Sequence, residues 1–137
     1  MHLLPYSPTT DLAALSTAPG WPHADTDAAL GFAAGGAWTW LIVDDDDRVA
    51  GECGVKGPPD AQGAVEIGYG LAGPSRGRGL GGQAVTALLD ELRRHPDVRT
   101  VDARVAADNL PSRRLLERRG FDLVDVDGTE VVYRLLV

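Results

Sequence analysis

Apolar and polar residues alternate most regularly from Ala64 to Leu71, where Val65, Ile67, Tyr69 and Leu71 share one face and Glu66, Gly68 and Gly70 the other. A period of two predicts a strand with one side on a core. From Leu80 to about Arg94 the period lengthens: Leu80, Ala84, Leu88 and Leu92, joined by Val85 and Leu89, form a helical stripe that His95-Pro96 ends. Ala37 to Val43 and Arg48 to Val55 read as two strands of a hairpin, with Asp44-Asp45-Asp46-Asp47 as its solvated turn. Val98 to Ala106 is another strand. Pro111 to Arg119 is a second helix, with proline in its first turn and Gly120 as its stop. Phe121 to Val126 and Glu130 to Val137 close the chain as two strands about an Asp127-Gly128 turn.

The first third is punctuated by Pro5, Pro8, Pro19 and Pro22, and two segments there, Thr10 to Ala18 and Asp25 to Ala34, have the character of short helices. The expected order is one strand, two short helices, three antiparallel strands, helix, strand, helix and two strands. That order predicts a mixed α/β sheet with helices packed on its faces.

A chain of 137 residues is one domain, and this length buries roughly two-thirds of the surface its unfolded form exposes. No apolar run approaches the roughly 20 residues of a membrane span, and the first residues lack the basic start and apolar stretch of a secretory leader. Cys53 is the sole cysteine, so no internal disulfide forms and a reducing, cytoplasmic setting is expected. His2, His23 and His95 are scattered, which gives no expectation of a metal site. A formal net charge of -7 opposes nucleic-acid binding and favours cationic partners.

Against that acidic background, Pro74 to Gly82 carries four glycines and two arginines just ahead of the first long helix. Glycines let the backbone turn tightly and bring its N–H groups to an anion, and a helix N-terminus adds unpaired donors at its positive end. The reading is a phosphate site. A Walker-type loop needs a Gly-Lys-Ser/Thr ending, which is missing. Gly77, Gly79 and Gly82 satisfy the dinucleotide pattern, and Asp102 lies 20 residues beyond Gly82. However, antiparallel strands precede the loop, and Asp102 falls in mid-strand and not at a strand end.

The surroundings of the loop decide the matter. Glu66-Ile67-Gly68-Tyr69-Gly70-Leu71, then Arg76-x-x-Gly79-x-Gly81, then Asn109-x-x-Ser112, then Leu115-Leu116-Glu117-Arg118-Arg119-Gly120-Phe121 together resemble the GNAT superfamily of N-acetyltransferases. The likeness is to the branch acting on ribosomal-protein N-termini and related amines, and it runs from about Ala37 to the C-terminus. It implies a mostly antiparallel sheet with one splayed strand pair. Residues 37–137 would bind acetyl-CoA, and residues 1–36, short for this branch, would lie on the acceptor side. The amides of Gly77 to Gly82, Leu80 and Gly81 included, would hold the pyrophosphate. Arg76 matches the position that opens the motif, and Arg78 would meet the pyrophosphate or the 3′-phosphate.

By the same resemblance, the pantetheine arm would pair with the strand edge near Leu71, whose backbone N–H is the expected oxyanion donor. Asn109 would contact the pantetheine, cap the helix, or do both. Many relatives carry a tyrosine as proton donor where this chain has Leu116; Ser112, one turn earlier, is the nearest hydroxyl to take that part or to touch the cofactor. Glu66 is the first candidate for the base that an ammonium acceptor needs, unless a cross-strand ion pair occupies it, and Glu52 is the second. Trp21, His23, Trp38 and Trp40 are candidates for lining the acceptor site, although paired tryptophans on one strand also suit a core. The implied activity is acetyl transfer from acetyl-CoA to a primary amine, a small molecule or a protein N-terminus, without a metal, by a monomer or homodimer. The alternative is a non-catalytic acyl-CoA-binding sensor of the same fold.

Overall fold

The computed structural model describes residues 1–137. Its elements are β1 (His2–Tyr6), α1 (Thr26–Ala34), β2 (Thr39–Val43), β3 (Val49–Val55), β4 (Ala64–Leu71), α2 (Leu80–Arg93), β5 (Thr100–Ala106), α3 (Leu110–Arg118), β6 (Asp122–Asp127) and β7 (Glu130–Leu136), with short 3-10 turns at Leu12–Ala14 and Gly73–Ser75. The strands form one sheet of seven in the order β1-β2-β3-β4-β5-β7-β6. Every neighbouring pair is antiparallel except β4 and β5, whose parallel pairing makes α2 the crossover between them.

The two faces of the sheet carry separate apolar clusters. The larger packs Ala84, Val85, Leu88, Leu89 and Leu92 of α2 on Ile42, Val55, Ile67, Val101 and Tyr133, with Leu116 of α3 beside them. The smaller gathers Leu30 of α1, Trp21, Leu41, Val49 and Ala72 on the opposite face. The alternation in β4 explains the division: its odd positions meet α2 and its even positions, two of them glycine, lie beneath α1.

One expected helix is missing. Thr10 to Ala18 makes only the short turn at Leu12–Ala14. Its later backbone bonds to β3 instead, Val49 N–H donating to Ser16 O and Ala18 N–H to Val49 O, both at 2.8 Å. A main-chain partner on the strand edge outcompetes a helix too short to hold itself together. The Asp44–Asp47 turn is as expected, with Asp44 Oδ1 accepting from the amides of Asp46 and Arg48 at 2.9 and 3.0 Å. At the far edge β6 is exposed at all six positions, and its pairing with β7 shifts register between Leu123 and Asp125.

What positions the site is the end of the β4–β5 ladder. Pairing runs from Ala64↔Thr100 to Ile67↔Ala103 and stops. Beyond it β4 continues on β3 alone, and Arg104 to Ala106 of β5 continue on β7 alone. The two strands part and leave a wedge between them.

Leu88 is fully buried in the larger cluster. Leu88→Ala is expected to lower unfolding free energy by about 2–5 kcal/mol, measured by denaturant titration.

Candidate active site

The wedge exposes main chain. Ala72 N–H donates to Ala50 O at 2.8 Å and Lys56 N–H to Glu66 O at 2.9 Å, so the even residues of β4 turn their polar groups towards β3. Strand alternation then turns the amides of Tyr69 and Leu71 towards the missing β5 ladder. Arg76, from the glycine loop, donates its Nε to Leu71 O at 3.3 Å and ties loop to strand end.

The loop reaches α2 through Gly77 and Gly79, with φ of 77° and 79°, a region that costs other residues about 1–2 kcal/mol. Gly79 is the N-cap of α2 and supplies no side-chain acceptor. The first amide of this helix with a protein acceptor is Gln83, donating to Gly79 O at 3.1 Å; none of the amides from Gly77 to Gly82 donates to the protein. Orphan donors at a helix N-terminus, beside arginine, form an anion site. Arg78 is exposed and stands outside the cleft, and Leu80 does not line it either.

Two further glycines make room for α3. A Cβ on Gly82 would sit 2.1 Å from Arg119 Nη2, and one on Gly81 would lie 3.4 Å from Leu115. Arg119 donates its Nε to Gly82 O at 2.9 Å and braces α3 on α2. Arg113 does the same towards β7, donating to Tyr133 Oη at 3.0 Å.

A cleft of about 770 Å³ runs along the wedge. On the α3 side it is lined by Tyr69, Asn109, Ser112, Leu115 and Arg118. Asn109 caps α3, its Oδ1 accepting from Ser112 N–H at 3.3 Å. The Ser112 and Tyr69 hydroxyls are 3.0 Å apart and hydrogen-bonded. Burial pushes the Tyr69 phenol upward, against smaller lowering effects of Ser112 and Arg119, so it keeps its proton at neutral pH. Leu116 is fully buried in the core and has no access to the cleft. The position that carries the tyrosine in many relatives is thus part of the packing here, and a tyrosine reaches the cleft from β4. Its place in the strand alternation had marked Tyr69 only as core.

On the α1 side the cleft is lined by His23, Asp25, Glu52, Lys56, Gly68 and Gly70, with Ala28, Ala29 and Phe32 of α1 above them. Glu52 is 1% exposed, opposite Gly70 in the β3–β4 register. Trp21 Nε1 donates to Glu52 Oε2 at 2.9 Å. His23 Nε2 stands 2.7 Å from Glu52 Oε1 without the alignment of a hydrogen bond, and neither atom has another partner. Burial raises the Glu52 carboxyl, against lowering by Trp21, the His23 charge and Thr26. Burial also pushes the Cys53 thiol far up, which leaves it a small core residue and no nucleophile.

Four residues expected at the acceptor side are placed elsewhere, among them Trp40, which is buried in the larger core. Glu66 is half-exposed outside the cleft, its carboxylate ion-paired across the strands to Lys56 Nζ. Trp38 stacks on His95 with ring centroids 3.9 Å apart and packs against the larger core. Trp21 lies behind the wall, in contact with Glu52 and not with the cleft. Asp102 is bound by Arg134 at 2.7 and 2.9 Å, a structural pair that leaves no ribose-binding acid.

The chain matches the acetyltransferase (GNAT) domain family over residues 7–122. It is 30% identical over 113 residues to YjdG, an uncharacterized N-acetyltransferase of Bacillus subtilis (strain 168), covering 75% of this chain and 67% of that protein. It is 33% identical over 81 residues to the uncharacterized N-acetyltransferase p20 of Bacillus licheniformis, covering 59% of this chain and 46% of that protein, so it spans about half that relative's length. Among solved structures it is similar to RimL, a ribosomal L7/L12 alpha-N-protein acetyltransferase in complex with coenzyme A, with a TM-score of 0.70 at 23% identity over 81% of this chain and 68% of the other; that likeness concerns the fold. A family match spanning most of the chain, on a sheet parted beside a glycine loop, makes this protein an acetyltransferase of the GNAT family.

Proposed function

We propose that the protein transfers the acetyl group of acetyl-CoA to a primary amine by direct attack in a ternary complex. The observation that carries this is the conjunction of unpaired amides from Gly77 to Gly82 with the wedge beside Leu71. The residues fit this cosubstrate. The loop amides and Arg76 suit a pyrophosphate, with Arg118 a further cation on the cleft wall. The free edge of β4 suits the amide groups of the pantetheine arm, which would take up the hydrogen bonds β5 does not make. Acetyl-CoA supplies the activated acyl carbon as a thioester.

The residues around that carbon divide the remaining work. The Leu71 amide, aimed into the wedge, would stabilise negative charge on the carbonyl oxygen as the amine adds. The Tyr69–Ser112 pair would deliver a proton to the departing sulfur, the role that buried Leu116 cannot fill. The Cys53 thiol is held protonated and the Ser112 hydroxyl is bonded to a phenol and not to a base, which supports direct attack over a covalent route. The same buried thiol supports a reducing, cytoplasmic setting. The acceptor class follows the relatives: RimL acts on a protein α-amine. The net charge of -7 suits cationic acceptors.

Acetyl-CoA is expected to bind in calorimetry and raise the melting temperature, and free thiol is expected when peptides beginning with Ala, Ser or Met, or spermidine, are added. Heat of binding with no thiol release from any amine would leave a non-catalytic sensor. Gly79→Ala should cost about 1–2 kcal/mol of stability through its left-handed backbone and weaken acetyl-CoA binding in the same calorimetry. Tyr69→Phe should lower kcat about ten- to a hundredfold with little change in acetyl-CoA affinity, read by steady-state kinetics.

A further inference from the structure

We propose that Glu52 receives the acceptor's ammonium at its free oxygen and takes its proton, with Trp21 and His23 as positioning residues. This rests on the acetyl-transfer reading above and assigns its acceptor side.

The carboxylate is built into the wall of the cleft and is incompletely satisfied. Oε2 has the Trp21 indole at 2.9 Å, whereas Oε1 has only His23 Nε2, 2.7 Å away and not aligned as a hydrogen bond, although Glu52 is 1% exposed. A buried polar atom left unpaired is costly unless something completes it. An ammonium group has the donors and the charge to do so. The free oxygen lies where the chemistry needs it: Glu52 is the register partner of Gly70, one residue before the Leu71 amide. Gly70 also leaves the space open. A Cβ there would come within 3.1 Å of the His23 ring and 3.7 Å of Oε1.

His23 Nδ1 accepts from Asp25 N–H at 3.2 Å, and its Nε2 stands 2.7 Å from Glu52 Oε1 without the alignment of a hydrogen bond. Glu66, on the same sheet face, is committed to Lys56. The groups around Glu52 are His23 and Trp21 from the N-terminal segment and Thr26 at the start of α1, with Cys53 next to it in β3; Asp25 and Lys56 line the same cleft, and β2 and β4 present Leu41 and Gly70 opposite it. Burial, which raises the carboxyl, brings its basicity closer to that of an amine.

The step balances as follows. An N–H bond of R–NH3⁺ breaks and its proton goes to Glu52 Oε1, leaving R–NH2. The nitrogen lone pair forms the C–N bond as the C–S electron pair leaves with sulfur. A second nitrogen proton ends on that sulfur, and Glu52 returns its own proton to solvent. The products are an acetamide, coenzyme A thiol and one proton.

Glu52→Gln keeps the shape and the Trp21 contact. For the best acceptor of the panel, kcat/KM measured by thiol release should fall at least about a hundredfold at pH 7, with acetyl-CoA affinity by calorimetry within twofold of wild type. The deficit should shrink as pH rises past the amine's own pKa, where free amine needs no base. Trp21→Phe removes a donor to the carboxylate, raises its pKa and should move the acid limb of kcat/KM to higher pH; it decides the matter if Glu52→Gln does not fold. A deficit constant across pH, a Glu52→Gln enzyme within about threefold of wild type, or an unmoved limb in Trp21→Phe overturns the assignment and leaves acetyl transfer standing. A wild type inert towards every amine overturns both.

Discussion

The site depends on a ladder of hydrogen bonds that ends early. Pairing between β4 and β5 stops at Ile67 and Ala103, and everything described in the cleft follows from the polar main chain left behind. Amides inside a protein demand partners, and here two devices together leave a set of them without one. The even residues of β4 spend their hydrogen bonds on β3, which aims Tyr69 and Leu71 into the wedge. The glycine loop leaves a second set of donors at the start of α2.

Absent side chains shape this site as much as present ones. Gly77 and Gly79 take backbone conformations that turn the chain into the helix, while Gly82 clears the space through which Arg119 ties α3 to α2. Gly70 clears the space beside Glu52 and His23. The arginine brace ties the helix bearing Ser112, capped by Asn109, to the helix that follows the glycine loop.

Much of this was legible in the chain, and the exceptions share a cause. The period-two run of Ala64 to Leu71, the stripe of α2 and the glycine cluster are local signals, and the strand and helix appear within a residue of their expected bounds. Thr10 to Ala18 failed as a helix because its backbone bonds to Val49, a partner remote in sequence. Glu66 and Glu52 are both acidic residues on the α1 face, and only the register between β3 and β4 sets Lys56 against one and Gly70 opposite the other. Trp38 resembled an acceptor-site aromatic until His95, a residue after α2, stacked on it. The periodicity of β4 places Tyr69 on the apolar face, and nothing local indicates that its hydroxyl meets Ser112. Roles set by cross-strand register or by a helix docking from elsewhere are invisible to a window of ten residues.

The outer strand β6 has no neighbour on its free side, and Leu123, Val124 and Val126 are exposed along it. Such an edge invites another chain to add to the sheet. The shift of register between Leu123 and Asp125 breaks its regular pleat, and Asp122, Asp125 and Asp127 give it a negative charge that an identical strand would have to face. The irregular, acidic border thereby discourages an identical strand from adding to the sheet at β6.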